Sequence, residues 1–443
     1  MKLSLLLNGA RLRTVNYMMD KKLPKSQEKI EERRLERKEK KKINVVFVVH
    51  RPAIWGALKS VCEECIKDKR FNVAIVTIPN KKELPGKGYA HEQYVWEGAY
   101  EYFNETYGRD NSNDKDAGEK RTCPVIKGYD EQSGKWFDLR KVNPDYVFFQ
   151  TPYDICRPLA YQSNRVATYA KICYVHYGMP FMNGEIAEES FPVRFLKNTY
   201  FHFAEFEEMR KFYVDRVEDN EVHKKERVIL TGYPKLDEAK EYIGCESDNW
   251  IYSGDEKRFR VMWTPRWNTE EGNCTYFTFK DALPDYIEEN EGMELLYRPH
   301  PQAELEFLSR GIMTKEEIDS YTKRFEESKS MSIDKKKGYL ESFYSSDVLI
   351  TDESSIIPEY FMTGKPLIFT YDETHLNEFA EAISKGFYWV KTPEELRTRL
   401  DKLMAGEDEL KETRARLIKE QFYLPERGSG WEIKEIIKKD FLK

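Results

Sequence analysis

A basic excess, long apolar runs and patterned cysteines are all missing from this chain, and each absence removes a class of protein. The 443 residues carry 72 Lys and Arg against 78 Asp and Glu, a net charge of −6, which argues against a general nucleic-acid binder. No apolar run approaches the roughly 20 residues that a membrane-spanning helix needs. The opening MKLSLLLNG has one lysine and an apolar core of about five residues, too short for the h-region of a secretory signal peptide. The seven cysteines are odd in number and irregularly spaced, which speaks against a disulfide framework. Cys62 and Cys65 form one C-x-x-C inside ALKSVCEECIKD, a segment that reads as a helix, and no second pair completes a zinc site. Structural thiols in a reducing compartment are therefore expected, hence a cytoplasmic protein.

What is present suits globular cores, with 40% apolar residues and 14% aromatics. This length suggests two domains plus extensions. Charge is unevenly spread: Lys21 to Lys42 holds eleven Lys or Arg and five Glu, a local +6 that leaves −12 for the remainder. Residues 1–19 place Leu3, Leu6, Leu7, Ala10, Thr14, Tyr17 and Met18 at helical spacing. An amphipathic helix followed by a basic run suits an anionic membrane surface; a solvated spacer, or an element docked on the body, fits the same pattern.

From Ile43 the chain alternates. INVVFVVH, FNVAIVTIP, DYVFFQTP and KICYVHYG read as buried strands, with ALKSVCEECIKD as a helix between the first two. Residues 81–140 are less regular, and the Gly, Asn and Asp around Gly108–Gly118 suggest a loop. A polar stretch at 244–257 precedes a second alternating set: FRVMWTPRW, MELLYRPHP, SDVLITDESS and KPLIFTYD. Strands alternating with helices predict parallel sheets covered on both faces. The expected architecture is a charged helical extension (1–42), a first doubly wound domain (43–240) and a second (241–443), with a cleft between the two.

Three polar clusters in the second half each follow a strand: Trp263-Thr264-Pro265-Arg266-Trp267, Arg298-Pro299-His300-Pro301, and Thr351-Asp352-Glu353-Ser354-Ser355. Strand-end placement puts them on the rim where ligands of open α/β sheets bind. Arg266, Arg298, His300, Thr351, Ser354, Ser355 and a helix start at Ser354 or Ser355 are the inventory for a diphosphate, with Pro358 suited to the first helical turn. The serines alone would equally cap a helix. Asp352 and Glu359, seven apart, share a face if the helix reaches back that far, and one of them would then take ribose hydroxyls. In the first half His176 ends a strand before a glycine turn and is a candidate general base; His50, also at a strand end, competes. No D-x-D or metal-type cluster sits near these strand ends, so no metal is required, although a loosely bound Mg2+ stays compatible with a diphosphate.

The strings VHYGMP, ILTGYPKLD, WTPRW, LLYRPHP and SDVLITDESSIIPEYFMTGKPLIFTYD, in this order, resemble the CDP-glycerol glycerophosphotransferases, the teichoic acid primases and polymerases, over about residues 145–430. The resemblance implies two Rossmann-like domains in a GT-B arrangement. It also implies transfer of an alditol phosphate, glycerol phosphate first, from a CDP-alditol to the hydroxyl of a polymer or lipid-linked acceptor, with release of CMP. By position His176 resembles the family's base, Arg298 and His300 its donor-phosphate contacts, and Thr351, Ser354 and Ser355 its diphosphate-holding donors. Asp372 matches the acidic position after the next strand. Glu353 replaces a usual aromatic, PERGSGWEI lacks the family's following arginine, and Tyr177 intervenes between His176 and its glycine. The alternative on the same fold is a GT-B glycosyltransferase using a UDP- or CMP-sugar.

Overall fold

The computed structural model describes residues 17–38, 42–84, 88–108, 122–179, 191–270, 274–336, 338–370 and 376–443. The amphipathic pattern over residues 1–16, most of the loop expected at Gly108–Gly118, and Asp372 lie outside these. The chain divides into two compact units, Met1–Tyr177 with Glu185–Asp237 and Tyr423–Lys443, and Gly178–Gly184 with Glu238–Phe422.

In unit 1 the apolar runs form β1 (Ile43–Val49), β2 (Phe71–Thr77), β3 (Val125–Lys127), β4 (Tyr146–Phe149), β5 (Lys171–Val175), β6 (Phe201–Ala204) and β7 (Val228–Leu230). They make one parallel sheet in the order β3-β2-β1-β4-β5-β6-β7. β4, β5 and β6 are buried throughout. That two-sided burial is why they read as continuous Val, Ile and Phe runs rather than alternating ones. Two antiparallel hairpins, Asn80–Leu84 with Gly88–Val95 and Tyr129–Asp130 with Lys135–Trp136, occupy part of the irregular stretch.

Unit 2 contains β8 (Phe259–Thr264), β9 (Met293–Tyr297), β10 (Met331–Ile333), β11 (Val348–Thr351), β12 (Leu367–Phe369) and β13 (Tyr388–Trp389). All are parallel, in the order β10-β9-β8-β11-β12-β13. Numbered from its own first strand this is 3-2-1-4-5-6, the doubly wound dinucleotide-binding order, and the winding reverses between β8 and β11. Its core stacks Trp263 on Tyr276 at 5.6 Å and Tyr276 on Phe307 at 5.2 Å. Arg260, fully buried, is held by Glu294 at 3.3 Å, by Glu246 and by the Tyr252 carbonyl at 2.9 Å. Unit 2 ends at Phe422, short of the chain end at which the sequence reading closed the second domain.

The last helix, Ser429–Leu442, belongs to unit 1 and packs on Gly56–Lys67. Asp237 accepts the N–H groups of Ser429 and Gly430, both at 2.8 Å, and the Ser60 hydroxyl at 2.7 Å, capping the helix where its N–H groups lack internal partners. A Cβ at Gly430 would stand 2.6 Å from the Ser60 carbonyl carbon, so only glycine allows this approach. TGYPKLD and PERGSG are therefore two halves of one joint. At the other end of the helix Asp440 binds Lys171 at 2.9 Å and the hydroxyls of Tyr146 at 2.6 Å and Tyr200 at 3.1 Å.

The basic helix Leu23–Lys38 is docked rather than solvated. Leu23 and Ile30 are buried. Gln27 donates to the Ala167 carbonyl at 2.8 Å, Arg33 to those of Pro144 and Tyr169, Arg34 to that of Phe441 at 2.6 Å, and Arg37 pairs with Asp145 at 2.7 Å. Among the described residues no helix is long and apolar enough to cross a membrane.

Candidate functional site

At the switch point of unit 2, Thr264 and Thr351 end paired strands. Thr351 donates its hydroxyl to the Thr264 carbonyl at 2.8 Å. Asp352 accepts the Arg266 N–H at 2.6 Å on one oxygen, and the Thr275 N–H at 2.8 Å and hydroxyl at 3.0 Å on the other. Both residues are fully buried. Burial lifts the Asp352 carboxyl to about 6 against the pull of those donors and of Arg266, so at neutral pH it is an ionised clamp. The sequence reading had both residues touching the donor directly; the structure turns them inward, where they fix the register of the two loops.

Arg266 reaches the Glu353 carboxylate at 3.6 Å and its carbonyl at 3.3 Å. The departure at Glu353 thus has a local partner. Ser354 accepts the Ile356 N–H at 3.4 Å in a local turn, and Ser355 is exposed. The helix begins at Ile357, with Pro358 in its first turn, and ends at Phe361, later than the serines that were expected to start it. Asp352 therefore lies outside the helix and shares no face with Glu359. Glu359 is itself buried and accepts the Tyr339 hydroxyl, which removes it from the ribose role.

After β9, Arg298 pairs with Asp334 at 2.7 Å, donates to the Gly338 carbonyl at 3.2 Å and lies 5.5 Å from the Tyr339 ring centre. Asp334 also receives Asn249 at 3.1 Å, the Ser342 hydroxyl at 3.0 Å and the Lys336 N–H at 3.0 Å. Sequence reasoning missed Asp334, although MSID is one more short apolar run ending in a polar group at the same rim. His300 is exposed, stacks on Trp267 at 5.3 Å and accepts the Gln302 N–H on Nδ1 at 3.2 Å. Partial burial first, then the charge of Arg266, hold its imidazole below the ordinary range. Beside it a cavity of about 320 Å³ opens between Pro299, His300 and Pro301 and Asp334 and Lys335, floored by Tyr276 and Tyr321. Its size and aromatic lining suit a small planar ligand.

In unit 1 His176 follows β5 and is 5% exposed. Its ring stacks against Tyr177 at 4.8 Å and Phe191 at 4.7 Å. Tyr177 is fixed by the Tyr153 hydroxyl at 3.0 Å and by its carbonyl, which accepts the Tyr233 hydroxyl at 2.9 Å. His50 stands at the switch point of unit 1, where Gln150 Oε1 accepts the N–H groups of His50 and Arg51, both at 2.9 Å. Burial, then Arg51 and Arg157, push its imidazole down to about 3, which makes it a weak proton acceptor at neutral pH. Among the described residues no cluster of three His, Cys, Asp or Glu could hold a metal ion.

Several solved structures share the fold. The Staphylococcus aureus MnaA–UDP structure matches with a TM-score of 0.56 at 13% identity, covering 90% of this chain and 98% of that one. The wall teichoic acid polymerase TagF matches at 0.53 and 15%, covering 98% of both chains. The UDP-GlcNAc 2-epimerase of Neisseria meningitidis bound to UDP-GlcNAc matches at 0.53 and 12%, covering 90% and 99%. At these identities the likeness concerns the α/β fold alone. No curated protein sequence matches the chain significantly. Residues 210–423, which include Glu238–Phe422 of unit 2, match the model of the CDP-glycerol:poly(glycerophosphate) glycerophosphotransferases. Over residues 210–423 the chain is therefore similar to that family, and it is a glycerophosphotransferase-like enzyme.

Proposed function

We propose that this enzyme moves an alditol phosphate, glycerol phosphate first, from a CDP-alditol to an acceptor hydroxyl in the synthesis of a teichoic-acid-like surface polymer. The observation that supports it most is the coincidence of the family match with the rim of unit 2, where His300 lines an aromatic-floored cavity and the charge of Arg266 acts on its ring. TagF has been solved with CDPG soaked into a variant, and the same donor class is proposed for this chain.

In the proposed reaction the acceptor oxygen bonds to the phosphorus that carries the alditol. The bond from that phosphorus to the CMP oxygen breaks, and CMP departs with the electron pair. His176 takes the acceptor proton. Such transfers are catalysed mainly by positioning and charge stabilisation. A helix N-terminus contributes about 0.3–1 kcal/mol, and here the helix spans only Ile357–Phe361. A preorganised donor is worth up to about 3–4 kcal/mol where the bound substrate excludes water, so the departing phosphate is assigned chiefly to His300. Arg266 exchanges Glu353 for the diphosphate, and Ser354 and Ser355 add hydroxyls. Arg298 orients the loop after β10 through Asp334, and the cavity takes the cytosine. Asp372 stays a donor-side assignment on resemblance alone.

The acceptor is proposed to be a polymer or lipid-linked chain. Lys21, Lys22, Lys25 and Lys29 are exposed near Tyr17 and Met18, a combination suited to an anionic membrane surface. Calorimetric titration of CDP and UDP into the purified chain tests the donor class. CDP binding at least about tenfold tighter, or 1.4 kcal/mol, supports the reading; equal or tighter UDP binding moves the assignment to a sugar-nucleotide transferase.

A further inference from the structure

Glu205 is a buried acid that none of the roles above uses. It follows β6, which pairs with β5 through His202 opposite Tyr174 and Phe203 opposite Val175, so it stands at the same rim as His176. It is 3% exposed. Its carboxyl faces its own N–H and that of His176, and the hydroxyls of Tyr174 and Tyr213 lie within its electrostatic reach. No side chain among the described residues closes a hydrogen bond to any of these four oxygens, and the Glu205 carboxyl is met only by those two backbone N–H groups. Buried polar atoms left open are rare in folded proteins and gather where function requires them.

Among the described residues, the titratable groups facing Glu205 are Tyr174 from β5 and Tyr213 from the helix Glu207–Arg216, and His176 at the end of β5 meets it through its backbone N–H. Among the described residues no cation acts on it. A structural acid in such a place would be paired with Arg or Lys, as Asp440 is with Lys171. The His176 ring lies 6.0 Å from the Tyr174 ring, nearly perpendicular to it, so Tyr174 brings the cluster up to the proposed base.

We propose that Glu205 is the positioning residue of His176, setting the orientation and proton affinity of the imidazole that receives the acceptor proton. The inference rests on His176 being the base. Glu205 makes and breaks no bond in the reaction. The proton leaves the acceptor oxygen for His176 as the new P–O bond forms, and a negative Glu205 strengthens His176 as an acceptor whereas a neutral one does not. Burial lifts the Glu205 carboxyl to about 8, so the two forms interconvert within the working range of a cytoplasmic enzyme.

Glu205→Gln preserves shape and removes the ionisation. The experiment is the pH profile of kcat from about pH 6 to 9 for the full-length enzyme with saturating CDP-glycerol and acceptor, beside CDP binding and a melting curve. The expected result is a wild-type rate that rises again through the Glu205 titration. E205Q should lack that rise, falling about tenfold behind at pH 8.5 but less than about threefold at pH 6.5, with CDP affinity unchanged. Parallel profiles for wild type and E205Q would overturn the inference. If E205Q does not fold, a wild-type profile governed by a single group overturns it equally. His176→Ala, assayed alongside, separates the two failures: an active H176A enzyme refutes the base, whereas an inactive one with parallel E205Q and wild-type profiles refutes Glu205 alone.

Discussion

Binding of CDP-glycerol is expected to draw a proton onto His300. The imidazole is held at about 4, by partial burial against Trp267 and by the charge of Arg266. A bound diphosphate brings negative charge beside the ring and returns it at least to the ordinary value of about 6.5. The proton affinity of the complex then exceeds that of the free enzyme, so binding takes up a proton and tightens as pH falls. The gain vanishes above the bound-state value. Between about pH 7.5 and 5.5 the full effect is roughly tenfold in Kd. The ring is open on one face, so solvent screening trims this to about three- to tenfold. CDP-glycerol is the right ligand because its diester diphosphate has no proton of its own to lose near neutrality. Calorimetry at pH 5.5 in two buffers of different ionisation heat should show about 0.5–0.9 proton taken up per donor bound, and His300→Ala should abolish the uptake. No uptake by the wild type, or uptake that survives in H300A, would refute the placement of His300 against the diphosphate.

Three further outcomes follow from the same contacts. His176→Ala should abolish transfer while leaving CDP affinity within about threefold; lost CDP binding would place His176 on the donor side instead. Asp352→Ala leaves three donors without their acceptor, partly offset by relief of a buried charge, and should lower stability by about 2 kcal/mol in urea unfolding. An unchanged midpoint would mean that the clamp is not needed. Asp440→Ala strands Lys171 in the interior and should cost about 3–5 kcal/mol in the unfolding of unit 1. Burial alone would raise the Asp440 carboxyl, yet Lys171, Tyr146 and Tyr200 hold it below the ordinary carboxylate range. Its contribution is therefore present at neutral pH and lost on acidification through that lowered value, and D440A should flatten the acid limb of the stability curve.

Strand positions were legible because fully buried parallel strands leave short runs of Val, Ile and Phe that little else produces. The order β10-β9-β8-β11-β12-β13 was not, since pairing between strands depends on packing across the sheet. Pro358 marked the helix start after Thr351 better than the serines did: its fixed backbone angle suits the first turn, while Ser354 and Ser355 sit in the turn before it. Asp352 was read as facing a ligand because strand-end acids often do, but the same position lets a side chain turn inward to gather the N–H groups of the neighbouring loop. The last helix was grouped with unit 2 by proximity along the chain. Its attachment to unit 1 rests on Asp237, Gly430 and Asp440, contacts between residues hundreds of positions apart that leave no local pattern. Glu205 escaped notice because FHFAEFEEM reads as a strand entering an ordinary acidic helix start.

The most direct test of the transferase reading is CMP release by the purified chain from CDP-glycerol and CDP-ribitol, with and without a glycerol-phosphate-terminated acceptor. Acceptor-dependent CMP from one of these donors is the expected result, and it names the alditol in the same assay. Absence of CMP from both donors, with a UDP-sugar turned over instead, would contradict the account.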